Sequence, residues 1–283
     1  MPELPEIESL RRSLCASILG AEVIDGGVLR RDMLHRASGA PKNPLAPGDV
    51  ILALRRKGKQ LVLETRSGAC LLMHLGMSGS VRVVPGEAVP ESHVHALWRM
   101  RRRDDTISFR HRDPRRFGWL ESHASMASVE RHAWSALGPD ALNVSMEHLA
   151  RSLRESRRPL KSSLLDQGRI AGLGNIYVDE ILFRAGLHPE CRSDRVPDDM
   201  LAGLLRSIHV VLAHAVELGG STIRDHRKAD GGWGAFQSEH QVYGRAGMPC
   251  RSCRTNLSTT QVSQRTTVFC RNCQRRRPQK RPA

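Results

Sequence analysis

The 283 residues are enough for about two domains, and an apolar share of 40% is enough to give each a core, which excludes a disordered or fibrous chain. No stretch approaches the roughly 18 to 20 uninterrupted apolar residues of a membrane span and the acidic start is the reverse of a signal peptide, so the expectation is a soluble, intracellular protein with no membrane partner. A net charge of +15 points instead to a polyanion, because a protein that neutralises phosphates gains affinity through counterion release.

The chain opens "MPELPEIESL". Proline is tolerated in a first helical turn, acidic residues suit the positive end of the macrodipole, and Ile7, Leu10 and Leu14 follow at helical spacing, so a helix over residues 1 to about 20 is predicted. From Val50 the character changes. "VILALRRKGKQLVLETRSGACLLMHLGMSGSVRVV", then "TISF" and "FGWLES", are short β-branched runs broken by Gly, Ser and charge, as in an antiparallel sandwich or barrel. Eight arginines stand against three aspartates between Arg99 and Arg116. A second basic focus, Gln241 to Ala283, holds ten Lys or Arg and no acid. Two foci this far apart suggest a groove lined from both sides.

From about 124 to 220 the pattern is helical, in "MEHLARSLRE", "PLKSSLLDQGRI", "NIYVDEILFRAG" and "DDMLAGLLRSIHVVLAHAVEL". Within "QGRIAGLGNIYVDEILFRAGLHPE" one helix is predicted to end near Ile170. Gly172 and Gly174 permit a tight turn, and a second helix runs from Asn175 to Gly186. Its exposed N–H groups would bind a phosphate; an ordinary helix hairpin with a capping Asn is the alternative. Cys250-Arg-Ser-Cys253 and Cys270-Arg-Asn-Cys273 have the C-x2-C-x16-C-x2-C spacing of a closed four-thiolate zinc site, which predicts one structural Zn2+; disulfides fit poorly with an intracellular chain that has odd cysteines left over. Between the pairs, "NLSTTQVSQRTTVFC" alternates around a turn near Gln264 and Arg265, a hairpin with Arg265 at its exposed tip.

"MPELPEIE", "RKGKQLVLE", "HLGMSGS", "DPRRFG", "GLGNIYVDE", "QVYGR" and the four-cysteine finger occur in the order seen in the formamidopyrimidine-DNA glycosylase family, and the chain resembles it from Pro2 to Cys273. The related endonuclease VIII group usually has Gly where this chain has Leu4 and lacks the "HLGMSG" run. The resemblance implies an α+β multidomain fold: an N-terminal helix with an antiparallel β-sandwich (1–123), a helix-two-turn-helix domain with a base-covering loop (124–240), a zinc-finger β-hairpin (241–274) and a basic tail (275–283). It also implies a monomer that binds damaged double-stranded DNA between its domains, removes oxidised purines and cleaves the abasic site.

In that family the nucleophile is the secondary amine of the residue corresponding to Pro2, freed when Met1 is removed. By the same resemblance Glu3 protonates the opening sugar ring, Glu6 supports the site, and Lys59, on a strand turn, acts near the damaged base and in β-elimination. Lys57 is two residues away, and strand periodicity would put both lysines on one face. Met77, Arg115 and Phe117 match the residues that fill the hole left by the extruded base, although by residue type alone Met77 and Phe117 read as core. His93, Arg116, Asn175 and Arg265 match DNA-contacting positions, and Arg265 is also linked to the second elimination. Gln60 stands after "GK" where the family usually has an aromatic residue, and His226 and His240 stand in the base-covering loop where Phe and Leu are common. An enzyme for oxidised pyrimidines and a zinc-finger lesion binder that does not cut are the alternative readings.

Overall fold

The computed structural model describes residues 1–89, 91–221 and 232–275 and divides into two compact units. The first is Met1–Ala136 with Val216–Gln237, the second Leu137–Ala215 with Ser238–Ala283. The first unit thus continues past His123, and the cysteine-bearing hairpin shares the second unit with the helices.

Helix α1 (Leu4–Ile18) starts as its sequence directs. Glu3 is the N-cap, Pro5 lies in the first turn, and Glu3 and Glu6 form a reciprocal capping box in which Glu6 Oε2 accepts the Glu3 N–H at 2.7 Å. Its apolar stripe, Ile7, Leu10, Leu14 and Ile18, is fully buried, worth roughly 1.5 to 3 kcal/mol per side chain. The strands that follow are β1 (Glu22–Val28), β2 (Leu34–Arg36), β3 (Ile51–Lys57), β4 (Gln60–Thr65), β5 (Cys70–His74), β6 (Ser80–Pro85), β7 (Val94–Arg102), β8 (Asp105–Arg112) and β9 (Trp119–His123). They form a four-stranded sheet, β1-β7-β8-β6, and a five-stranded sheet, β2-β9-β5-β4-β3.

One core joins the α1 stripe to Leu54, Leu61, Leu63, Leu71 and Met73 of the second sheet and to Val81, Trp98, Met100 and Phe109 of the first. The other face of β4 and β5, with Val62, Cys70 and Leu72, packs on Val129 of the short helix α2 (Met126–Val129). Burial on both faces explains why "QLVLE" and "CLLMH" read as continuous apolar runs where a half-exposed strand would alternate. The pairings are antiparallel except for β2 with β9, which is parallel. Six strands separate β2 from β9 in the chain, so no hairpin dictates their relative direction.

The second unit carries α3 (Met146–Arg154), α4 (Leu160–Leu165), α5 (Asn175–Arg184) and nearly all of α6 (Asp198–Glu217). By length and composition α6 would suffice to cross a membrane, but its Leu201, Leu204, Ile208, Leu212 and Ala215 are buried at the spacing of a core helix. Helix α4 stops at Leu165, short of the predicted end near Ile170, because side chains build a turn there. Asp166 accepts the Gly168 N–H at 3.0 Å. Gln167 donates to the carbonyls of Leu165 (2.9 Å) and Leu173 (2.8 Å) and accepts the Gly172 N–H (2.9 Å).

The hairpin of β10 (Ser258–Val262) and β11 (Arg265–Phe269) turns at Ser263 and Gln264, whose φ values of 51° and 58° are those of a type I′ turn. The predicted turn is therefore one residue late, and Arg265 is the exposed first residue of β11. Two carboxylates of α5 bind this region to the helices. Asp179 pairs with Lys161 at 2.6 Å, both fully buried, and accepts the Val268 N–H at 3.1 Å. Glu180 accepts three successive N–H groups, from Gln241, Val242 and Tyr243, at 2.8 to 3.0 Å.

Candidate active site and nucleic-acid contacts

In the first unit the amino end of the chain sits over the start of α1. Pro2, Glu3 and Glu6 are buried, and the terminal amine, that of Met1, lies within electrostatic reach of Glu3, Glu6, Lys59 and Arg115. Burial is the strongest influence and lowers the amine's pKa; Glu3 and Glu6 pull it upward, Lys59 and Arg115 downward, and the net shift is down. Glu6 uses its second oxygen to accept the Ser221 N–H at 2.6 Å. Gly220, at φ +79°, lets that backbone approach, since a Cβ there would lie 2.5 Å from Glu6 Oε1.

Lys59 does not lie on a strand. Gly58 (φ 56°) and Lys59 are the two central residues of the β3–β4 turn, with Lys57 paired to Gln60, the arrangement of a type II′ turn. The expectation of one shared strand face for the two lysines therefore fails. Lys57 donates to the Trp134 carbonyl at 3.0 Å, whereas Lys59 is buried near the terminal amine. The turn is held to α1 by Arg56, which pairs with Glu8 at 3.0 Å and donates to the Gly58 carbonyl at 3.0 Å.

Met77 and Phe117, which residue type alone would place in the core, are 47% and 54% exposed. Arg115 lies over the Phe117 ring, 4.7 Å from its centroid. The loops that carry them meet backbone to backbone: a Cβ on Gly76 would lie 2.3 Å from the Phe117 carbonyl carbon. Arg116 (φ 55°) pairs with Asp32 at 3.5 Å, and the two help line a cavity of about 510 Å³ with His35, Phe117 and Trp119. His93 is exposed at φ 65°, so two contact candidates adopt a backbone conformation uncommon outside glycine.

In the second unit the structure brings Asn175 to the hairpin. Gly174, not Asn175, caps α5, and the Asn175 amide donates to the Thr266 carbonyl at 3.1 Å, next to Arg265. The cap in the ordinary-hairpin alternative is thus Gly174 and not the Asn. None of the seven cysteines is in a disulfide. The Sγ atoms of Cys250, Cys253, Cys270 and Cys273 lie within 4.8 Å of one another, with Cys250 to Cys273 at 3.9 Å and Cys253 to Cys270 at 3.4 Å. A tetrahedron with metal–sulfur bonds of about 2.3 Å has edges of about 3.8 Å, so the four thiols fit around one metal ion.

Of the departures, Gln60 opens β4 opposite His74, and its Oε1 is buried without a partner. His240 is buried edge-on to Tyr243 with ring centroids 5.5 Å apart, and burial pushes its pKa down to about 4. His226 and the tail beyond Arg275 lie outside the described residues. Sequence reasoning passed over His74, which stacks on Trp119 at 5.6 Å and whose pKa is lowered by burial and by the charge of Lys59. It also passed over Ser78 and Asp113. All three belong to the "HLGMSGS" and "DPRRFG" motifs, so the signal was in hand without a residue-level reading.

Residues 1–120 match the family model described as formamidopyrimidine-DNA glycosylase N-terminal domain, and residues 137–227 match the formamidopyrimidine-DNA glycosylase H2TH domain. A formamidopyrimidine-DNA glycosylase of Xanthomonas oryzae pv. oryzae is 38% identical over 277 residues, spanning 97% of this chain and 100% of the relative. One from Ruegeria pomeroyi is 36% identical over 287 residues with the same coverage. The MutM (Fpg) protein of Thermus thermophilus superposes with a TM-score of 0.83 at 40% identity, covering 98% of this chain and 100% of that one. The Lactococcus lactis Fpg in complex with DNA containing an abasic site gives 0.86 at 33% identity, covering 97% and 100%.

Proposed function

Since the chain belongs to the formamidopyrimidine-DNA glycosylase family, we propose that it is a monomeric, cytoplasmic base-excision repair enzyme that removes oxidised purines, 8-oxoguanine and formamidopyrimidines, opposite cytosine in duplex DNA and then cleaves the abasic site. The observation that carries this reading is the setting of the amino end: Pro2 is buried with Glu3 and Glu6 at the start of α1, and Lys59 is buried within electrostatic reach of the Met1 amine that precedes Pro2.

Removal of Met1 makes the Pro2 secondary amine the terminus. An ordinary α-amino group near pKa 8 is about one-tenth neutral at pH 7, against less than about 0.1% for a lysine, so a terminal amine offers the larger nucleophilic fraction. The amine attacks C1′ of a nucleotide flipped out of the duplex, Glu3 protonates the opening sugar ring, and the base departs. Proline's iminium has no N–H proton to shed, so it remains a cationic electron sink. The sink lets the 3′ and 5′ phosphates leave by β- and δ-elimination, with Lys59 acting in the first and Arg265 in the second. Glu6 holds the helix start and the Gly220–Ser221 backbone in place.

Extruding a base leaves a hole whose unstacking costs a few kcal/mol. Met77 and Phe117 fill it and Arg115 reads the orphaned cytosine, while His93, Arg116, Asn175 and Arg265 bind the backbone. Damage, rather than sequence, then sets specificity. Cys250, Cys253, Cys270 and Cys273 hold one Zn2+. A closed four-thiolate site offers no open coordination position, so the ion stabilises the finger and takes no part in the chemistry.

The test is borohydride trapping of the untagged protein on a duplex with one 8-oxoguanine opposite cytosine, followed by peptide mass mapping. A DNA adduct on Pro2 is expected. No adduct, from protein shown to have lost Met1 and to hold zinc, would leave a lesion binder that does not cut.

A further inference from the structure

Beneath the exposed Met77, Arg115 and Phe117 lies a buried pair that no part of the chemistry above uses. Asp113 is fully buried. One of its carboxylate oxygens accepts the Ser78 hydroxyl at 2.5 Å, and the other accepts the Gly118 N–H at 2.8 Å. The Ser78 oxygen in turn accepts the Arg115 N–H at 3.2 Å. The Asp113 main chain is engaged as well: its N–H donates to the His93 carbonyl at 3.0 Å, and its carbonyl meets His95 Nε2 at 2.9 Å and the Arg116 N–H at 3.3 Å. Of these three partners, His93 and Arg116, which meet Asp113 main chain to main chain, have positive φ, a conformation that persists where the surroundings over-determine it.

From this geometry we infer that Asp113 and Ser78 are positioning residues: their buried carboxylate–hydroxyl pair locks the Met77 turn to the Arg115–Phe117 loop, so that the three exposed side chains enter the stack as one preformed wedge. The inference rests on the proposed reading, in which those side chains fill the hole in the duplex. It explains why the cluster can hold two apolar side chains in solvent without their folding inward. The Gly76 and Gly118 backbones are packed too closely against the opposite loop for either loop to shift alone, as a Cβ on Gly118 would lie 2.7 Å from the His74 carbonyl oxygen. An Asn at 113 keeps the shape but offers one acceptor oxygen where two are needed, and an Ala at 78 removes the hydroxyl that links the Met77 turn to Asp113 and Arg115 of the opposite loop.

The experiment compares Asp113→Asn, Ser78→Ala and Ser78→Thr with the wild type, as zinc-loaded full-length proteins. Two substrates are used: 8-oxoguanine opposite cytosine in a duplex, and an abasic site in single-stranded DNA, which presents no stack to enter. Asp113→Asn and Ser78→Ala are expected to lower the ratio of duplex to single-strand cleavage by up to about 100-fold, the scale of effect produced when a mutation moves a positioned group by about 1 Å. Ser78→Thr, which keeps the hydroxyl, should restore the ratio. An unchanged ratio in Ser78→Ala overturns the inference, and so does an equal loss on both substrates. If Asp113→Asn fails to fold, the two Ser78 variants decide the matter. A wild type that cuts neither substrate instead refutes the proposed function itself, and is recognised before any variant is compared.

Discussion

Lys57 and Lys59 are the same residue type two positions apart, and the turn between their strands gives them opposite surroundings. Lys57 donates to a main-chain carbonyl, so Lys57→Met should cost about 1 kcal/mol of stability and leave turnover nearly unchanged. Lys59 is buried near the terminal amine, so Lys59→Met should slow strand cleavage by about 100-fold or more, as removal of a proton-transfer group does. Denaturant unfolding and single-turnover cleavage of both variants check this, and the opposite pattern would transfer the role to Lys57. Sequence periodicity could not separate the two, because period 2 assumes a continuous strand and Gly58 ends it. Met77 and Phe117 show the same limit from the other side: residue type predicts burial, and only the packing of the carrier loops reveals that they are held outward. The capping role of Glu3 and Glu6 was legible, since it needs nothing beyond the neighbouring turn.

At the level of elements, Glu8 joins α1 to the strand that leads into the Lys59 turn. It is ion-paired to Arg11 at 2.7 Å, Arg12 at 3.1 Å and Arg56 at 3.0 Å. Burial alone would raise the Glu8 pKa, but hydrogen bonds from Arg11 and Arg56, with the charge of Arg11 and a further bond from Arg12, overcome it and hold the group at about 2 against an ordinary 4.5. A depressed carboxylate pKa stabilises the fold above the unfolded value, and that stability is lost as pH falls toward the folded value. Because Arg11 and Arg12 are partly exposed, we discount the effect to about 1 to 2 kcal/mol. Glu8→Gln should therefore be less stable than wild type by that amount above pH 5, with the gap narrowing as pH falls below 4.5. Urea midpoints at pH 7 and pH 3.5 measure it, and a gap that widens on acidification would reverse the assignment. The long elements were legible from their periodicity. The end of α4 was not, because Asp166 and Gln167 build that turn from side-chain hydrogen bonds that leave no mark on an apolar pattern.

For the molecule as a whole, the basic charge is less available than its sum suggests. Of the arginines between Arg99 and Arg116, Arg99 pairs with Asp25, Arg101 with Glu22 and Arg112 with Glu91, while Arg102 and Arg110 donate to main-chain carbonyls. Five of the eight arginines of this run, read from sequence as one side of a phosphate groove, are thus engaged within the first unit; Arg115 and Arg116 belong to the loop that carries Phe117, where Arg115 lies over the Phe117 ring and Arg116 pairs with Asp32. The second focus contrasts with it: Arg265 is exposed at the head of β11, next to the residue whose carbonyl holds Asn175. Counterion release makes the two cases separable. A cation that neutralises a DNA phosphate contributes about 0.9 to the slope of log affinity against log salt. Arg265→Ala should thus weaken binding to abasic-site duplex and flatten that slope by about 1. Arg99→Ala should leave the slope nearly unchanged, because the guanidinium is already neutralised by Asp25. Anisotropy titrations between 50 and about 300 mM salt give both slopes in one experiment. A slope unaffected at Arg265 and flattened at Arg99 would place the phosphate track on the first sheet, and the ion pairs there would have to open on binding.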